Sequence, residues 1–195
     1  MFKLISLAAT ISIAAAAPAL AHLDPAAHGS FMAGVSHPLF GVDHILAMIA
    51  VGLWASQIAS GPGRRGALWI VPAAFVGTMA LGYASAVAGI GLPFVEPAIL
   101  ASVVALGLLV AMAVRLPLAA SAAVVAVFAL FHGHAHGGEL GSAGALQFGL
   151  GFMIATALLH AAGIALGLGI GRFSPMVTRL AGVLTALAGL SLAFG

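Results

Sequence analysis

The chain has 195 residues, of which 63% are hydrophobic and only 5% charged, so it lacks the polar surface needed to cover a soluble globule and belongs in a lipid bilayer. It contains no cysteine, which excludes disulfides, zinc-thiolate sites, iron–sulfur clusters and Cu(I)-thiolate chemistry and leaves imidazole, carboxylate, backbone and thioether groups as metal ligands. The formal net charge of +2 rests on six basic residues with no cluster beyond Arg64-Arg65, so no nucleic-acid partner is expected.

At the N-terminus, Lys3, the apolar run Leu4 to Ala17 and the small-residue pattern Ala19-Leu20-Ala21 form a secretory signal with an A-x-A cleavage site. Residues 1–21 are therefore expected to be a cleaved signal peptide, and residues 22–195 a transmembrane domain. The mature chain then begins with His22, whose free amino group and imidazole together chelate a divalent ion, with Asp24 and His28 close behind.

A hydrocarbon core of about 30 Å requires roughly 20 apolar residues per helix. The remaining sequence divides into six such stretches, 38–59, 67–88, 94–114, 117–136, 144–170 and 176–194, separated by Gly, Pro, Ser and Arg-containing breaks. The expected fold is an all-α membrane protein, a six-transmembrane-helix bundle. Arg64, Arg65, Arg115, Arg172 and Arg179 fall in or beside the connections after the first, third and fifth spans. The positive-inside rule makes those connections cytoplasmic, and an N-terminal export signal gives the same N-out/C-out topology. Gly163, Gly167 and Gly171 on the fifth span, and Gly182 with Ala186 on the sixth, form small-residue rows suited to helix contacts.

The stretch His37-Pro38-Leu39-Phe40-Gly41-Val42-Asp43-His44 runs directly into the first span. A charged side chain near the middle of a transmembrane helix costs about 2.5–3.5 kcal/mol on insertion scales, so a carboxylate beside histidine there marks a functional site. Pro38 suits the first helical turn, which makes His37 a cap residue. Across an unbroken helix His37 and His44 stand about 10 Å apart along the axis, too far to share an ion unless the helix is distorted at Gly41. Asp43 projects about 100° from His44 and either ligates the ion itself or orients a histidine from another helix. Met48 follows one turn below His44 and reads as a core residue.

A second cluster closes the fourth span: Phe131-His132-Gly133-His134-Ala135-His136-Gly137-Gly138-Glu139. His132 and His136 are i and i+4, the spacing that lets two imidazoles grip one ion. In a regular helix His134 points elsewhere, but Gly133, Gly137 and Gly138 make irregularity the expectation, with Glu139 folding back to complete the coordination. His22, His37, Asp43, His44, His132, His134, His136 and Glu139 form the candidate metal site. His160 lies alone in the fifth span, as a packing residue or a station on an exit path; Glu96 reads as a helix-start residue, and Trp54, Trp69 and Tyr83 as interface or packing residues.

At these residues the chain resembles the HupE/UreJ family of nickel permeases. The family pattern His-x5-Asp-His is matched by His37, Asp43 and His44, and Phe-His-Gly-x-Ala-x-Gly-x-Glu by Phe131, His132, Gly133, Ala135, Gly137 and Glu139. The resemblance implies multi-pass residence in a bacterial inner membrane and uptake of Ni2+ as transported substrate, or of Co2+, for hydrogenase or urease assembly. The residues alone reach a divalent transition metal and stop there, because imidazole and carboxylate suit nickel, cobalt, Cu(II) and zinc. No enzyme motif such as H-E-x-x-H or G-x-S-x-G is found, no organic cofactor is expected, and oligomeric state is left open. The rival readings are a membrane metal-binding protein or sensor that does not transport, and a cytochrome with histidines on haem.

Overall fold

The computed structural model describes residues 30–139, 144–171 and 173–195, with the side chain of Glu139 outside that description. The expected signal peptide and His22 therefore lie outside the described residues. Within them the chain is helical throughout: α1 (Phe31–Phe40), α2 (Val42–Ala59), α3 (Ala67–Val87), α4 (Val95–Ala111), α5 (Leu118–Glu139), α6 (Ala145–Gly171) and α7 (Pro175–Phe194). The helices α2, α3, α5, α6 and α7 are each long and apolar enough to cross a membrane, which makes the chain a multi-pass membrane protein. The remaining apolar helix, α4, has 17 residues and is shorter.

The first predicted span is corrected by the structure. Residues 38–59 are not one helix with His37 as its cap; His37 and Pro38 lie inside α1, which starts at Phe31, and the break falls at Gly41. Ser30 caps α1, its hydroxyl accepting from the Ala33 amide at 2.9 Å. Gly41 takes an extended conformation, φ −79° and ψ 114°, and donates its N–H to the His37 carbonyl at 3.2 Å, so the helical ladder stops and restarts within one residue.

Close backbone approaches through small residues fix how the helices pair, since lipid gives apolar helices no hydrophobic reason to associate. Gly52 and Ser56 of α2 meet Gly163 and Gly167 of α6 in the same order, so these two helices run parallel. Gly34 of α1 meets Phe148 and Phe31 meets Gly151, the opposite order, so α1 runs antiparallel to α6. The chain thus reverses direction along α6 at Gly41. A Cβ on Gly82, Gly133 or Gly137 would collide with backbone of the partner helix, which locks α3 and α5 together in parallel. Gly107 and Ala111 of α4 face Ala186 and Gly182 of α7, an antiparallel pair.

These pairings separate two chemically different ends. Arg64 donates to the Leu116 carbonyl at 3.0 Å, Arg115 to the Ser60 hydroxyl at 3.1 Å and Arg179 to the Ala111 carbonyl at 2.8 Å, tying together the connections at the ends of α2 and α4. Trp54 also donates to the Val114 carbonyl there, at 2.8 Å, and is buried, whereas Trp69 is exposed. His37, Asp43, His44, His132 and His136 lie away from these arginines, toward the other end.

Candidate metal centre

The reversal at Gly41 sets His37 on the ascending arm against His44 at the start of the descending one. Their ring centroids lie 5.4 Å apart, edge to face, where an unbroken helix would hold them about 10 Å apart along its axis. Gly41 is needed for space as well as for the break: a Cβ there would stand 2.9 Å from His44 Nδ1 and 3.1 Å from Asp43 Oδ1.

The second cluster arrives on α5. The expectation that its glycines disturb the helix is overturned, because α5 stays helical through Glu139. Gly133 and Gly137 instead press α5 onto the α3 backbone at Met79 and Tyr83. Close packing on that face leaves His132 and His136, i and i+4, for the bundle interior, where both are buried.

Three imidazoles converge as a result. Potential ligand atoms of His37, His44 and His136 all lie within 4.8 Å of one another. His44 Nε2 and His136 Nε2 are 2.7 Å apart, and the rings of His37 and His136 are centred 4.3 Å apart. One N–H is shared between the two Nε2 atoms. Two nitrogens held cis on one ion at about 2.1 Å would stand about 3 Å apart, so a cation taking the place of that hydrogen needs only a slight opening of the pair.

Asp43 supplies the electrostatics. Its Oδ1 is 3.0 Å from His44 Nδ1, a charge contact rather than an aligned hydrogen bond, and the negative charge there favours the proton on Nδ1 and so the Nε2 lone pair facing His136. The shared hydrogen then belongs to His136, which can carry it on Nδ1 instead when a cation binds. Asp43 also sits in the first turn of α2, where a negative charge is favoured by the helix dipole. The site is walled by α6: the Phe152 ring is centred 6.0 Å from His37, 5.9 Å from His44 and 4.9 Å from His136, and Phe148 is 5.9 Å from His37.

His132 lies one step further in, its ring 5.4 Å from that of His44. The Ser102 hydroxyl donates to the Ile99 carbonyl at 2.6 Å, so at 2.8 Å it accepts from His132 Nε2–H. That fixes the tautomer and leaves the buried Nδ1 of His132 as a lone pair without a hydrogen-bond partner among the described residues.

The remaining candidates are placed differently. His134 turns away from the trio and donates from Nε2 to the Ile90 carbonyl at 2.7 Å. Glu139 ends α5 three residues after His136. Ser102, Phe148 and Phe152 were not singled out by sequence reasoning. The i, i+4 spacing of the two phenylalanines was a visible signal, whereas Ser102 carries none.

No solved structure matches the chain. It is similar to Protein HupE of Rhizobium leguminosarum bv. viciae, 47% identical over 189 residues that cover 95% of this chain and 96% of that protein. The model of the family described as HupE / UreJ protein matches residues 9–192. A match of that extent, with a near-full-length relative at this identity, means that the chain belongs to the HupE/UreJ family.

Proposed function

We propose that this protein is a permease that carries Ni2+, or Co2+, inward across the inner membrane of a bacterium and supplies hydrogenase or urease maturation. The observation that carries the reading is the convergence of His37, His44 and His136 within 4.8 Å at one end of membrane-length helices, with a carboxylate behind one of them. Neutral imidazole nitrogens backed by a carboxylate suit a divalent d-block ion and hold Mg2+ or Ca2+ poorly.

In this reading residues 1–21 are removed as a signal peptide, α4 serves as the third of six spans, and the arginine-bearing connections face the cytoplasm by the positive-inside rule. The imidazole trio then opens outward. His22 at the new N-terminus, Asp43 and Glu139 add to ion capture, while His134 belongs to the rim through its bond to Ile90. Ni2+ exchanges part of its water for the three imidazoles, the shared hydrogen moves to His136 Nδ1, and His132 is the next ring inward.

The haem alternative is disfavoured by spacing. Two axial nitrogens stand about 4 Å apart, twice a metal–nitrogen bond, on opposite faces of a macrocycle, and the 2.7 Å between His44 and His136 admits no plate between them.

Accumulation of 63Ni in cells expressing the wild type or His136→Ala, with excess Co2+ or Mg2+ as competitor, tests the proposal. Uptake above empty cells, reduced at least tenfold by the substitution and inhibited by Co2+ but not Mg2+, is expected. A wild-type signal equal to that of empty cells would leave a non-transporting metal binder or sensor as the better reading.

A further inference from the structure

His160 has no part in the site described above. It is 1% exposed on α6, and neither of its ring nitrogens has a hydrogen-bond partner among the described residues. A histidine that only filled space would be better replaced by an apolar side chain, because a buried donor and acceptor left unpaired forfeit their hydration for nothing. Within a membrane helix that cost marks a residue with a role.

Its surroundings suggest which. The Phe75 ring lies edge-on to His160 at 5.0 Å and also 5.8 Å from His132, the imidazole whose Nδ1 lone pair is unpartnered. One turn outward on α6, the Thr156 hydroxyl donates to the Met79 thioether at 3.8 Å, so a soft sulfur donor sits at the adjacent level. Along α6 His160 stands eight residues, about 12 Å, below Phe152 of the outer site. It stands seven residues, about 10 Å, above Gly167, which lines a cavity of ≈ 360 Å³ shared with Ser56, Gln57, Arg115 and Arg179. Two arginines there repel a cation and so favour its discharge over its retention.

We propose that His160 is an inner coordination station for a divalent transition cation, midway between the outer imidazole trio and the cavity at the arginine-bearing end. The inference rests on the transport reading. The ion would pass from His132 to His160 as the buried Phe75 ring swings aside, exchanging one neutral imidazole for another with no proton gained or lost.

The test measures 63Ni flux into proteoliposomes and equilibrium 63Ni binding to the purified full chain, for the wild type, His160→Leu and His160→Cys. His160→Leu is expected to fold with unchanged or raised thermal stability, to keep wild-type nickel binding at the outer trio, and to lose at least tenfold in flux. His160→Cys, the sole thiol in the chain, is expected to retain flux and to shift its preference at least fivefold toward Cd2+ over Ni2+. Wild-type flux and selectivity in either folded variant would overturn the proposal. Should His160→Leu fail to fold, an equal loss of Ni2+ and Cd2+ flux in His160→Cys would assign the residue to structure instead. Absence of flux in the wild type would overturn the transport reading itself, a result distinguishable from both.

Discussion

Replacing Asp43 by asparagine keeps the side chain's shape and its acceptor oxygen but removes the charge 3.0 Å from His44 Nδ1. From that carboxylate, through the imidazole, to an ion bound at Nε2 is about 7 Å, taking a metal–nitrogen bond of about 2.1 Å. A unit negative charge and a divalent ion at that separation interact by about 5 kcal/mol at an effective dielectric of about 20, and by about 1 kcal/mol in bulk water. The Asp43 side chain is 27% exposed, so the true value falls between these limits. That range brackets the 10–100-fold loss of affinity, about 1.4–2.7 kcal/mol, that follows when a carboxylate behind a metal-bound histidine is removed. Equilibrium dialysis of 63Ni against the purified protein should therefore give Asp43→Asn a dissociation constant raised roughly 10–100-fold, with His44→Ala weaker still. A change of less than threefold in Asp43→Asn would refute the idea that Asp43 acts through His44 on the ion.

Other outcomes follow from the same geometry. Gly133→Ala forces a methyl into the Met79 backbone and should destabilise the α3–α5 pair by about 1–3 kcal/mol, read as a lower thermal midpoint. Ser102→Ala leaves His132 Nε2–H buried without its acceptor and should cost about 1–3 kcal/mol in the same measurement, whereas a change at an exposed residue such as Leu158 should cost little. Imidazole must be neutral to ligate, so nickel uptake should fall as the outer medium is acidified, because protons compete with the ion for the ring nitrogens. Flat uptake between mildly acidic and neutral pH would count against histidine ligation.

Much of the architecture was legible in the chain because breakers and arginines punctuate apolar runs of helix length. The boundaries of α3, α6 and α7 fall within a residue of the predicted spans. Composition could not reveal the reversal at Gly41, because an apolar run reads the same whether the helix continues through it or restarts. The glycines of the second cluster misled for a related reason: Gly133 and Gly137 look like helix breakers in isolation, but in lipid they are contact surface, and only the position of α3 makes that apparent. Asp43 read in sequence as a ligand or as the partner of a histidine on another helix; the 3.0 Å contact instead sets it against its own neighbour His44, on the far side of the ring from His136, which favours orientation of that ring. Ser102 and Phe75 are common residues in apolar helices and gain meaning only from the histidines beside them.

Nickel K-edge X-ray absorption on the purified protein loaded with one equivalent of Ni2+ addresses the trio directly. The account predicts outer-shell scattering from three imidazoles bound at about 2.1 Å, falling to two in His136→Ala. A spectrum of oxygen ligands alone, or one unchanged by that substitution, would contradict it.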